Sequence, residues 1–178
     1  MLHGQSAPQH KRIRQQSAAK RPAQKKAEKL TTHLSFPHVW SVPEEARGLQ
    51  RPGDSITLRL TAEQTDGKYS VAEFATPGGV GQPPHTHAWD ETYLVLEGEL
   101  NLNINGQPTV VGTGGWYQVK AGVVHAPTPN GDFCRYVMVG QPGGVESVFK
   151  SLKANQKDLS DMGKVVEIVT KEGVNIAG

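Results

Sequence analysis

From about Phe36 onward, apolar and polar side chains alternate in short runs. Ser55–Leu60 (SITLRL) and Tyr69–Thr76 (YSVAEFAT) alternate cleanly, and each predicts a strand with one buried face. Thr92–Leu96, Leu100–Asn105, Thr109–Val111, Trp116–Val119 and Phe133–Val139 continue the series. Turn signals separate the runs: Thr65-Asp66-Gly67, Gly78-Gly79, Glu97-Gly98-Glu99, Asn105-Gly106 and Asn130-Gly131. Asn-Gly between alternating runs is the strongest short hairpin signal, because both turn residues must take positive φ. Short strands spaced roughly 8–12 residues apart predict an all-β sandwich or barrel, not a βαβ protein.

The pattern changes at both ends. Val145–Lys153 reads as a helix. Met162, Val165, Val166 and Val169 form the apolar stripe of a second, with Ser160 or Asp161 to cap its start and Gly173 to end it. These helices are expected outside the barrel or at a dimer contact. Residues 1–35 hold almost no apolar side chains and are expected to form a disordered tail, since nothing there offsets the entropy of ordering. The domain organisation is thus a tail over 1–35 and one domain over 36–178, with its helical extension at about 145–173.

Charge sharpens the division. Residues 1–30 carry eight Lys/Arg against Glu28 alone, a net +7, whereas the remainder is net −5. A basic tail can touch phosphates non-specifically. No aromatic residue interleaves with its charges, so a nucleic-acid partner is not expected. No apolar run approaches the ~20 residues of a membrane span. No apolar stretch follows the basic N-terminus either, so a secretory signal is not expected. The single cysteine, Cys134, excludes an intramolecular disulfide, reads as a small core residue, and fits a cytoplasmic location.

Candidate chemistry lies in Gly79–Gly98, GVGQPPHTHAWDETYLVLEG. His85 and His87 fall on one face of a strand, ~7 Å apart. A straight strand would carry Glu91 ~13 Å from His87. If Glu91 shares an ion with the histidines, the chain must therefore bend at Ala88–Asp90. Glu91 then opens the next strand, with Tyr93 and Val95 on its inward face. His125 follows the Gly122 turn by three residues and is the fourth candidate. Three imidazoles and a carboxylate suit one divalent transition metal: Fe, Mn, Ni, Co, Cu or Zn. His3, His10, His33 and His38 read as solvated side chains in or near the tail.

These residues carry a resemblance. Gly79, His85, His87, Glu91 and Gly98 resemble the first cupin motif, G-x5-H-x-H-x3-E-x6-G, at every defining position. Gly114, Gly122 and His125 resemble the second, G-x5-P-x-G-x2-H-x3-N, with Lys120 where the family has Pro and Pro129 where it has Asn. Further stretches, among them Tyr93–Glu99, Pro142–Phe149 and Lys171–Ile176, are similar to the small single-domain cupins related to quercetin 2,3-dioxygenase. The resemblance spans roughly residues 37–178. It implies an all-β, single jelly-roll β-barrel that holds its metal on His85, His87, Glu91 and His125. It also implies a small-molecule substrate and a homodimer. The implied activity is a metal-dependent dioxygenase acting on an enolisable, flavonol-like or aromatic compound, with Glu91 as the base. A metal-dependent isomerase and a non-catalytic small-molecule binder are the alternatives on the same site.

Overall fold

The computed structural model describes residues 49–51 and 54–177. The expected disorder of the 1–35 tail, its contact with nucleic acid and the four solvated histidines all lie outside the described residues.

Among the described residues, nine strands and two α-helices follow in chain order. They are β1 (Leu49–Arg51), β2 (Asp54–Leu60), β3 (Ser70–Pro77), β4 (His85–Thr86), β5 (Asp90–Asn101), β6 (Val110–Gly112), β7 (Trp116–Val119), β8 (Thr128–Gln141), α1 (Glu146–Ala154), α2 (Met162–Lys171) and β9 (Asn175–Ile176). The described chain is mostly β with two C-terminal helices. No helix among the described residues is long and apolar enough to cross a membrane.

The main sheet is antiparallel with the order β1-β2-β3-β8-β5-β6, and β7 also pairs with β5. β4 and β9 form a separate two-stranded ribbon. The hydrogen-bonded path does not return on itself, so the closed barrel expected from the sequence is an open sheet among the described residues. The reason is the shortness of the later strands: β6 and β7 share one edge of β5 instead of bridging to another strand.

Two expected turns are absent. Glu97-Gly98-Glu99 does not end a strand; β5 runs through it with register shifts at Val95/Glu97 and Gly98/Leu100. Bulges of this kind bend a strand without breaking its pairing. Asn130-Gly131 lies inside β8, where Pro129 pairs with Leu100 and the Asn130 amide donates to Glu99 at 2.7 Å. Long-range pairing overrides local turn preference at both places. Asn105-Gly106 does turn, with φ of 50° and 80° and Ile104 and Gln107 exchanging backbone hydrogen bonds at 2.8 and 2.9 Å.

Strand alternation packs the core. Ala72 and Phe74 of β3, Tyr93 and Val95 of β5, and Cys134, Tyr136 and Met138 of β8 all point inward. Phe74 stacks on Tyr136 with centroids 4.7 Å apart, and Phe149 of α1 meets Phe74 edge-on at 5.7 Å. Burying a side chain of that size stabilises the fold by about 1.5–3 kcal/mol, which seats α1 on the sheet. Asp161 caps α2 by accepting from the backbone N–H of Gly163 and Lys164. Val165 and Val169 of the predicted stripe are buried, whereas Met162 is 57% exposed.

Candidate metal centre

Two backbone features bring the four candidate residues together. His85 and His125 sit directly opposite each other, and each backbone N–H donates to the other's carbonyl at 3.0 Å. Opposed residues in an antiparallel pair project to the same side, so their rings lie 4.3 Å apart. The second feature is a bend at Ala88 and Trp89, between the end of β4 and the start of β5. It swings Glu91 back until Oε1 stands 3.2 Å from His87 Nε2. Glu91 Oε2 stands 3.3 Å from His125 Nε2. His85, His87, Glu91 and His125 are all buried, at 4%, 3%, 4% and 0% exposure.

The turn preceding His125 closes although Lys120 stands where the resembling family has Pro. Val123 N–H donates to the Lys120 carbonyl at 3.1 Å, and Gly122 takes φ 77°. Asp90 fastens this turn to the first motif. It accepts from Lys120 Nζ at 2.8 Å and from Ala121 N–H at 2.9 Å. The Lys120 hydrogen bond, with the Ala121 bond added, lowers the Asp90 pKa. Gly122 N–H also donates to the His87 carbonyl at 2.8 Å.

The imidazole tautomers follow from hydrogen bonding. Each Nδ1 lies against a backbone carbonyl two residues away: Pro83 for His85 at 2.9 Å, Trp89 for His87 at 2.8 Å and Val123 for His125 at 3.0 Å. A carbonyl only accepts, so each Nδ1 carries the proton and each Nε2 presents a lone pair. The Nε2 atoms of His87 and His125 stand 3.3 Å apart, and both face the Glu91 carboxylate. Acceptors facing acceptors at this range need protons or a cation between them. Two nitrogens bound at ~2.0–2.1 Å to one ion would themselves lie roughly 3.0–3.4 Å apart. The three histidine ligand atoms all lie within 4.8 Å of one another and could hold a metal ion. The donor set fits such an ion.

The electrostatics agree. Burial raises the Glu91 pKa, but the adjacent His125 and His87 rings outweigh it whenever they carry a proton toward the carboxylate, and hold the carboxyl well below its usual range. Burial, then the repulsion of His125, lowers His85 to about 4, so it is neutral and able to coordinate at pH 7. Two more donors secure the carboxylate. Trp89 Nε1–H donates to Glu91 Oε1 at 2.9 Å, and the Tyr93 hydroxyl donates to Oε2. Burial and the adjacent Glu91 charge push the Tyr93 pKa well above its ordinary value.

His85, His87 and Glu91 line a cavity that takes in about 640 Å³ of free space, its open mouth included, and His125 lies behind them with its Nε2 3.3 Å from both His87 and Glu91. β3 and β8 contribute Phe74 and Met138. The opposite wall comes from the C-terminal segment: Val145, Val148, Phe149 and Leu152 around α1, Val165 and Val169 of α2, then Val174 and Ile176. The helices were expected outside the barrel or at a dimer contact; their buried apolar faces line the cavity and cover the site. β9 completes the cover by pairing with β4, Ile176 opposite His85. Of the described residues lining the cavity, Glu91 is the one carboxylate, and none is Lys or Arg. Trp89 and the helical wall were not singled out in the sequence. The stripe at 162–169 was visible there, but nothing in it says which surface it covers.

Residues 74–140 match the family described as Cupin domain, and this stretch contains all four site residues. Quercetin 2,3-dioxygenase from Bacillus subtilis is 29% identical over 102 residues, which are 56% of this chain and 30% of that protein. The chain therefore spans under a third of that relative's length. Two solved structures are similar in fold. An RmlC-like cupin from Shewanella frigidimarina matches with a TM-score of 0.50 and 16% identity, over 61% of this chain and 95% of that one. A mutant oxalate decarboxylase from Bacillus subtilis matches with a TM-score of 0.50 and 15% identity, over 56% of this chain and 28% of that one.

Proposed function

This chain is a small cupin similar to quercetin 2,3-dioxygenase, and from that premise we propose that it is a metal-dependent dioxygenase. Its substrate is an enolisable small molecule with an apolar, aromatic body and one oxygen-bearing end. The observation that carries this reading is the polarity of the cavity. The His85 and His87 imidazoles and the Glu91 carboxylate line one end of the cavity, with His125 directly behind them, and apart from Gln82 the far walls are Val, Leu, Ile, Phe and Met side chains. A sugar or a dicarboxylate would need polar or cationic partners along the walls, because burying its polar groups unpaired costs several kcal/mol. A flat apolar ring system needs none.

His85, His87, His125 and Glu91 would hold one divalent transition ion, Fe, Mn, Ni, Co, Cu or Zn. When bound, the ion supplies Lewis-acid chemistry that lowers the pKa of a substrate hydroxyl. Glu91 is the base. Its carboxylate takes the hydroxyl proton, and Tyr93 and Trp89 keep both its oxygens aimed along the cavity floor. The helical wall excludes water from the resulting anion and orients the apolar body. In cells we place the chain in the cytoplasm as a homodimer; Val110 and Trp116, 49% and 64% exposed on β6 and β7, are apolar side chains a second copy could cover.

One observation favours a second reading, a non-catalytic small-molecule-binding cupin. Both Glu91 oxygens already hold donors, which reduces the basicity a proton acceptor needs. Elemental analysis of the purified chain beside His85→Ala tests the metal, and equal metal content in both overturns it. Oxygen uptake by the Fe, Mn, Ni and Co forms with a panel of flavonols and β-diketones tests the reaction. Tight binding with no uptake supports the second reading against the first.

A further inference from the structure

Trp89 touches two of the four site residues in three ways. Its indole N–H donates to Glu91 Oε1 at 2.9 Å. Its ring lies parallel to the His87 imidazole, with centroids 4.2 Å apart and planes 2° apart. Its backbone carbonyl accepts the His87 Nδ1–H at 2.8 Å, which leaves His87 Nε2 bare. The indole is itself confined. A Cβ at Gly140 of β8 would stand 3.7 Å from its Cδ1, and one at Gly173, after α2, would stand 3.8 Å from its Cζ3. A carboxylate on a glutamate side chain has three torsions to settle. The indole N–H settles one oxygen, and the Tyr93 hydroxyl settles the other.

We propose that Trp89 is the positioning residue of this centre: it orients the Glu91 carboxylate and the His87 ring toward the divalent ion, and acts on metal affinity through Glu91. The inference rests on the metal-site reading above. Partners that orient ligands in this way are typically worth 10–100-fold in metal affinity. Trp89→Phe separates the contacts, because it keeps an aromatic ring for His87 and the backbone carbonyl but removes the N–H that holds Glu91.

The test is a calorimetric Co2+ titration of the metal-stripped chain, of Trp89→Phe, of Glu91→Ala and of the double variant, with the visible Co2+ absorption recorded for each. The single Trp89→Phe change is expected to weaken Co2+ binding about 10–100-fold and to move the absorption bands, with the far-ultraviolet circular dichroism unchanged. In the Glu91→Ala background the same change is expected to cost less than about 3-fold, since coupled residues do not add. If Trp89→Phe does not fold, 3-benzothienylalanine at position 89 keeps the indole shape without the N–H and gives the same reading. Unchanged affinity and spectrum, or a loss that adds in full to that of Glu91→Ala, overturns the inference alone. Failure of the unsubstituted chain to bind Co2+ overturns the metal-site reading and this inference with it.

Discussion

Removing His125 should abolish the thermal stabilisation that metal gives this chain. A ligand present at 100 times its Kd, binding the folded state alone, stabilises it by about 2.7 kcal/mol. Unfolding a domain of roughly 125 residues, at about 2.1 cal/mol/K per residue, has an entropy near 0.26 kcal/mol/K. The midpoint of the metal-stripped chain should therefore rise by about 10 °C at that metal concentration. His125 is fully buried, with its Nε2 facing both His87 and Glu91. Removing it costs at least the ~100-fold in affinity that lesser perturbations of metal sites reach. The same metal concentration then equals the new Kd. The stabilisation falls to about 0.4 kcal/mol, a shift under about 2 °C.

His125→Ala also leaves a cavity and orphans the Val123 carbonyl, at a cost of roughly 2–3 kcal/mol. That loss appears with and without metal. The difference between the paired melts therefore isolates coordination from packing. The assay is scanning calorimetry of stripped protein with and without each of Mn2+, Fe2+, Co2+, Ni2+, Cu2+ and Zn2+. Equal metal shifts in the two proteins refute the role of His125. The absence of any shift above about 2 °C in the unsubstituted chain refutes the metal site.

The other predictions concern the wall, the cap and the glycines. Val148→Thr keeps the side-chain shape but sets a hydroxyl in the apolar wall, so 3-hydroxyflavone binding followed by fluorescence should weaken several-fold while metal content stays unchanged. Glu146 accepts from Ala62 N–H at 2.7 Å, from Gly144 N–H at 3.1 Å and from the Ser70 hydroxyl; Glu146→Ala should cost about 3–5 kcal/mol in a denaturant melt at pH 7. Burial raises the Glu146 pKa, but those hydrogen bonds outweigh it and leave the pKa below the ordinary 4.5. Its contribution is therefore complete above that value and lost as pH falls through the folded-state pKa, so the gap between the two proteins should narrow in acid melts. A Cβ at Gly98 would overlap the Phe133 carbonyl oxygen, whereas one at Gly79 meets nothing within 4 Å, although both glycines have φ 77°. Gly98→Ala should then destabilise by several kcal/mol and Gly79→Ala by only about 1 kcal/mol, as thermal melts would show.

What was legible in the sequence was local. His85, His87 and Glu91 fall within seven residues, and the bend that joins them follows from strand arithmetic alone. Asn105-Gly106 turns because its conformation is set by its own two residues. Where the outcome depended on a distant partner, local signals misled. Asn130-Gly131 reads as a turn, yet it lies in a strand because Leu100 and Glu99 across the ladder engage Pro129 and Asn130. The strand read through His85 and His87 is cut to the two residues of β4, His85–Thr86. Its partners are distant in the chain: His125 opposite His85, and β9 some ninety residues later. Closure of the sheet failed for the same reason, since closure is a property of pairings between strands and not of any one run.

The helical stripe marks the sharper boundary. Period and capping locate α2 within a residue or two, because both are set within the helix. An apolar stripe states only that something must cover it. A barrel exterior, a second copy and the mouth of a cavity satisfy it equally, and Val165 and Val169 turn out to face the last of these. The consequence for function is specific. The four candidate ligands lie inside the stretch that matches the cupin domain, residues 74–140, and the C-terminal wall lies wholly outside it. The family match therefore covers the candidate donors, whereas most of the apolar wall above them is built by the roughly thirty residues that follow.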